Sequence, residues 1–193
     1  MLMSETAKES VYHLSEEDIR KIILFAPSLR DRVVIKILAN TGIRRGELRD
    51  IDIQNIEFDK RRLHVMHGKG DKQRSVPVDP DTLQDIKFFI GNRVSGRLIT
   101  SSKQEGISLK QINEICTKCG QLAGVRHPNP AKSGITPHLF RHSFARKMLK
   151  KGMRMEEVQK ILGHASIKTT IDVYGTPGMD SVQESYDKIM SGS

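Results

Sequence analysis

The chain has no run of about 18 apolar residues, and its N-terminus lacks the basic start and apolar stretch of a secretory signal. Neither a membrane-spanning helix nor export is therefore expected. Cysteine is nearly absent: Cys116 and Cys119 are the only two. That excludes a disulfide scaffold and points to a reducing, intracellular setting, read here as the cytoplasm. The pair forms a lone CxxC with only His127 near it in sequence, short of the four ligands that zinc takes. It lies within a helical pattern rather than after a strand, so two ordinary helix thiols are expected in place of a redox pair. No internal repeat and no low-complexity tract occurs, which removes solenoids and repeat arrays.

What the chain has in excess is positive charge. Its 193 residues suit one domain, and 37% hydrophobic with 28% charged residues allow a buried core. The formal net charge is +9 and the pI about 9.7. A domain this basic suits a polyanion, nucleic acid before an anionic membrane, although a solvated basic surface has the same composition.

The periodicities predict a mainly α chain with one small antiparallel β element. Ser15 to Asp18 resembles a capping box ahead of Ile19, Ile22, Ile23 and Leu24. Val33, Val34, Ile37 and Leu38 stripe a helix over 29–40, with Gly42 placed to stop it. A short helix is expected over 45–50. Period-two alternation follows in 56–58, 62–66 and 73–78, with Gly68-Lys69-Gly70-Asp71 as a hairpin turn between the last two runs. Further helices are expected over 80–90, 108–123, 137–151, 155–162, 166–173 and 179–190, with a loop over 124–136 and Gly163 as a helix stop.

Four clusters could carry chemistry. In His138-Leu139-Phe140-Arg141-His142, helical spacing puts His138, Arg141 and His142 on one face. Arginine forks fit phosphate oxygens, and histidine exchanges a proton near neutral pH. The same two histidines have zinc-protease spacing, but Leu139 stands where that motif needs glutamate. The second cluster is Leu162-Gly163-His164, with Tyr174, one of three tyrosines, ten residues beyond the histidine. The third is Arg44-Arg45 at a helix start, where cations are disfavoured unless an anion explains them. The fourth is Lys69 on the hairpin turn. Taken singly, each has a plainer reading as a solvated face, a cap or half-buried packing.

Together, in this order and spacing, they resemble the tyrosine recombinases, the family of phage integrases and Xer-type recombinases. Thr41-Gly42-Ile43-Arg44 with Glu47-Leu48 is similar to the family's first arginine box. Gly68-Lys69-Gly70 followed by Lys72, Arg74 and Val76-Pro77 is similar to its hairpin lysine box. His138 to Ala145 is similar to the second arginine box, and Leu162-Gly163-His164 with Tyr174 to the end of the pattern. The resemblance implies the catalytic-domain fold of that family, α+β with a small antiparallel sheet. It also implies cleavage and rejoining of double-stranded DNA through a 3′-phosphotyrosyl bond. By that resemblance Tyr174 is the nucleophile and Arg44 and Arg141 clamp the scissile phosphate. Lys69 is the general acid, His138 moves the tyrosine proton, His164 donates to the phosphate, and Glu47 orients a neighbouring side chain. Lys72, Arg74 and Lys132 are the expected DNA-backbone contacts. No cofactor, no metal and no ATP are expected. Type IB-like topoisomerase activity, or a DNA-binding module without catalysis, are the alternatives.

The expected division is a flexible segment over 1–13, a catalytic domain over 14–178 and a tail helix over 179–193 exchanged between protomers. The partners implied are DNA and further copies of the chain, a tetramer on paired sites and a monomer without DNA, with no membrane. Two departures from the family pattern stand out. Gly175-Thr176-Pro177 follows Tyr174 where a small polar residue and a histidine are common. The helical domain with which complete family members clamp the other face of DNA is not expected within this length, as in a catalytic fragment or a single-domain relative.

Overall fold

The computed structural model describes residues 12–66, 73–101, 106–163 and 183. The helix expected over 166–173 and the hairpin turn with Lys69 lie outside the described residues, as does all but Gln183 of the helix expected over 179–190. Among those described, the chain is mainly α with one three-stranded antiparallel sheet, the expected fold class. In chain order the elements are α1 (Glu16–Leu24), α2 (Leu29–Thr41), α3 (Arg45–Arg49), β1 (Ile56–Glu57), β2 (Arg62–Val65), β3 (Arg74–Pro77), α4 (Pro80–Ile90), α5 (Leu109–Leu122), α6 (Pro137–Lys150) and α7 (Met155–Leu162). No helix among the described residues is long and apolar enough to cross a membrane.

The centre is α2. Its sequence reads as a stripe, yet Ile35, Lys36 and Ala39 are buried along with Val33, Val34, Ile37 and Leu38. A helix buried on all sides has α1, α4, α5 and α6 packed around it. Of the polar residues this traps, Lys36 is met by two carboxylates: its Nζ lies 2.7 Å from both Asp81 and Asp85. The capping box at α1 forms as expected, with Ser15 Oγ accepting the Asp18 N–H at 3.0 Å and the Ser15 N–H donating to Asp18 at 3.2 Å. The chain joins the core at Leu14, whose N–H donates to Ser143 Oγ on α6 at 2.8 Å.

The sheet runs β1-β2-β3, with Leu63 opposite Val76 and Val65 opposite Arg74. Opposed residues share a face. Leu63, Val65 and Val76 are buried, so Arg74 points inward with them. The two expected thiols of α5 are both buried in the core. Loss of solvent pushes the Cys119 thiol up to about 11, with Asp31 adding to the effect, and pushes Cys116 higher still. Both are poor nucleophiles at neutral pH. No group of three or more histidine, cysteine or acidic side chains fit to hold a metal occurs among the described residues.

Candidate active site

Two left-handed glycines shape the site. Gly42 ends α2 at φ +65°, and a β-carbon there would meet Phe144 Cδ1 at 2.5 Å and Leu162 Cδ2 at 2.8 Å. Gly163 ends α7, also at φ +65°, with the Arg74 guanidinium 3.0 Å from where a β-carbon would stand. Only glycine meets both demands, a left-handed backbone and close approach. The two helix ends are thereby brought against α6, and their last carbonyls, which have no helical partner, need donors.

Three arginines from three elements supply them. Arg74 on β3 donates from Nε to the Ile161 carbonyl at 2.7 Å. Arg141 on α6 donates to the Leu162 carbonyl at 2.7 Å and, from its other terminal nitrogen, to Gly42 at 2.6 Å. Arg44, the residue ahead of α3, donates to the Gly163 carbonyl at 3.3 Å. Three successive carbonyls at the negative end of α7 thus hold three guanidiniums side by side. Arg141 is 5% exposed, and its two carbonyl bonds restrain its rotation.

One carboxylate serves two of these arginines. Glu47 Oε1 accepts from Arg44 Nη1 at 3.0 Å and from Arg74 Nη1 at 2.8 Å. Its Oε2 accepts from the Arg44 N–H at 2.7 Å and from Arg74 Nη2 at 2.8 Å. Burial pushes the Glu47 carboxyl upward. The Arg74 hydrogen bonds, the Arg44 N–H and the two guanidinium charges outweigh it, so the group sits below the ordinary carboxylate range.

On α6, His138 is exposed and His142, one turn on, is buried. Their Nε2 atoms are 2.6 Å apart with the rings edge to face. One nitrogen must carry a proton and the other a lone pair, so the two imidazoles share a single proton at that contact. Lys132 lines a small cleft with Tyr12, His127, Asn129, Thr136 and His138, which places this expected DNA contact beside the exposed histidine.

Arg44, Glu47 and Arg141 are brought together, and His138 and Lys132 lie along the same end of α6. Lys69, Lys72, His164 and Tyr174 lie outside the described residues. Arg74, expected as a DNA-backbone contact, has a side chain 9% exposed and hydrogen-bonded to Glu47 and the Ile161 carbonyl. The signal for this lies in the alternation, which sets Arg74 on one face with Val76 and Val78. The sequence motifs assign His142 no role, though its i, i+4 spacing from His138 puts the two in reach.

Comparison with known proteins identifies the family. Residues 12–179 match the model of the phage integrase family. The tyrosine recombinase XerA of Pyrococcus furiosus is 37% identical over 164 residues, 81% of this chain and 54% of that protein. The tyrosine recombinase XerC of Pelobacter propionicus is 33% identical over 165 residues, 83% of this chain and 52% of its own length. The chain therefore spans about half the length of these curated relatives. Among solved structures, a XerA recombinase superposes with a TM-score of 0.75 at 26% identity, covering 91% of this chain and 62% of that one. The XerH site-specific recombinase bound to its difH substrate gives 0.74 at 24% identity, covering 90% and 53%; at that identity the likeness speaks for the fold.

Proposed function

Because the chain belongs to the phage integrase family of tyrosine recombinases, we propose that it breaks and rejoins double-stranded DNA through a covalent bond to Tyr174, as a site-specific recombinase domain. The observation that carries the proposal is the convergence of Arg44 and Arg141 on adjacent carbonyls, Gly163 and Leu162. These immediately precede His164 and stand about ten residues before Tyr174. Two rigid forks side by side fit the two non-bridging oxygens of a phosphodiester and the charge that grows on them in the transition state.

Tyr174 Oη attacks phosphorus and the bond to the 5′ oxygen breaks. Lys69 supplies the proton that the departing 5′ oxygen takes up, and His138 accepts the tyrosine proton. His164 donates a hydrogen bond to the phosphate. The ester bond passes from sugar to tyrosine, so its free energy is retained, and a 5′-hydroxyl reverses the step without ATP or metal. The domain works in the cytoplasm, where it reaches DNA.

A nicked suicide duplex, which loses a short fragment after cleavage, tests this. A covalent protein–DNA adduct is expected in the presence of EDTA and absent in Tyr174→Phe. Adduct persisting in that variant, or cleavage that EDTA abolishes and zinc or magnesium restores, would overturn the assignment. Arg44→Ala and Arg141→Ala are each expected to slow cleavage by roughly two to three orders of magnitude, the usual cost of losing an oxyanion donor.

Assembly of several copies on paired DNA sites belongs to the same proposal. A cavity of about 650 Å³ lies between the hairpin, α6 and α7, with Phe144, Met148, Met153 and Ile161 as apolar lining and Arg61 and Arg62 beside them. The segment after Pro177 interleaves Val182, Tyr186 and Ile189 with Asp180, Glu184 and Asp187, apolar and acidic where the cavity is apolar and basic. Docking of this tail on a second copy predicts that removing residues after Pro177 lowers the mass of the DNA-bound assembly in light scattering; an unchanged mass counts against it.

A further inference from the structure

Arg74 is a largely enclosed charge beside the arginine cluster, its side chain 9% exposed, that the proposed chemistry does not use. Its three nitrogens are all engaged, two on Glu47 at 2.8 Å and one on the Ile161 carbonyl at 2.7 Å. The carboxylate it holds is the one that also binds Arg44 through the side chain and the backbone. Two guanidiniums around one carboxylate leave one surplus positive charge. Without Arg74, the Glu47 charge would fall wholly on Arg44, and the pair would be neutral where an anion is to bind. Arg44 is also the more exposed partner, with 35% of its side chain accessible against 9% for Arg74. The inner arginine therefore takes up the carboxylate, and the outer one keeps its charge and free edge toward solvent and substrate. The Nε bond adds a second function, since it anchors the first of the three carbonyls on which all three arginines sit.

We infer that Arg74 is a positioning residue for the phosphate clamp, acting through Glu47 to keep the charge and orientation of Arg44 available to the scissile phosphate. The inference rests on the reading of Arg44 as a phosphate ligand. A plain structural rivet between β3, α3 and α7 would share the same contacts but would have no dependence on the charge of the substrate.

That difference sets the experiment. Covalent cleavage by the full chain is timed on two suicide duplexes, one with an ordinary scissile phosphate and one with a neutral methylphosphonate there. The proteins are the parent, Arg44→Ala, Arg74→Met and Arg74→Lys, with melting curves confirming that each is folded. A neutral centre has less need of arginine charge, so the defect of Arg44→Ala is expected to shrink on the methylphosphonate. Arg74→Met is expected to lose roughly two orders of magnitude on the phosphate and to recover most of that loss on the methylphosphonate, in parallel with Arg44→Ala. Adding Glu47→Gln to Arg74→Met is expected to restore part of the phosphate activity, because the carboxylate no longer opposes Arg44. Equal loss on both duplexes for Arg74→Met, with Arg44→Ala rescued, overturns the inference and leaves the Arg44 reading standing. Failure of the methylphosphonate to rescue Arg44→Ala overturns the Arg44 reading itself, and the inference with it. If Arg74→Met does not fold, Arg74→Lys carries the comparison with the same two outcomes, since a single ammonium does not reproduce the bidentate grip.

Discussion

A carboxylate as enclosed as Glu47, whose side chain is 4% exposed, survives as an anion only because every lone pair is met. Removing one member of such a buried set typically costs about 3–5 kcal/mol, since the remaining charges lose their compensation. Glu47→Gln is therefore expected to lower unfolding free energy by about that amount. It should also change the response to acid. The folded-state pKa of Glu47 is depressed, so the stability it contributes is complete above the ordinary value of 4.5 and drains away as pH falls through the folded value. Urea unfolding midpoints taken from pH 7 down to pH 3 should fall less steeply in Glu47→Gln than in the parent. Parallel acid slopes would contradict the assignment of a charged, depressed Glu47. The partners that matter here are 3 and 27 residues away in sequence. The near one is readable as a helix-start pair; the far one depends on how the hairpin folds back.

At the scale of elements, the outline is legible in the sequence and the joints are less so. The expected bounds of the helices over 80–90 and 155–162 coincide with α4 and α7, and the expected strands lie within a residue or two of β1, β2 and β3. Those elements carry their own signals: Asp79 with Pro80 at a helix start, Gly163 at a helix end, and apolar residues every second position in the hairpin. What local signals do not contain is which helix ends meet. Gly42 is readable as a stop for α2, but not as the contact surface for Phe144 on α6 and Leu162 on α7. Gly124 provides a comparison, because it has nearly the same backbone, φ +66° against +65°, with nothing within 4 Å of an added β-carbon. Gly124→Ala should cost about 1 kcal/mol, the backbone strain alone. Gly42→Ala adds overlap with two packed side chains, for a total of about 2–4 kcal/mol. Denaturant unfolding of the two variants separates the terms. Equal losses would mean that α6 and α7 give way freely, and that Gly42 serves only as a helix stop.

At the scale of the whole molecule, a net charge of +9 does not by itself say where DNA would touch. Part of the basic complement is spent inside. Lys36 is held by Asp81 and Asp85, and Arg74 by Glu47. The charges able to displace counterions from DNA are the exposed ones, and Lys132, exposed and lining the cleft beside His138, is one candidate. For each DNA phosphate that a variant no longer neutralises, the slope of log affinity against log salt should decrease in magnitude by about 0.9, whatever the DNA sequence. Lys132→Gln is thus expected to flatten the salt dependence by about that amount and to weaken specific and non-specific duplexes alike. Lys36→Met removes the same formal charge from the interior. It should lower the unfolding midpoint while leaving the salt slope unchanged, because a buried ammonium releases no counterion from DNA. Fluorescence anisotropy titrations between about 50 and 200 mM salt distinguish the two. If both variants flatten the slope equally, the response follows net charge rather than a located contact, and Lys132 loses its place at the DNA surface.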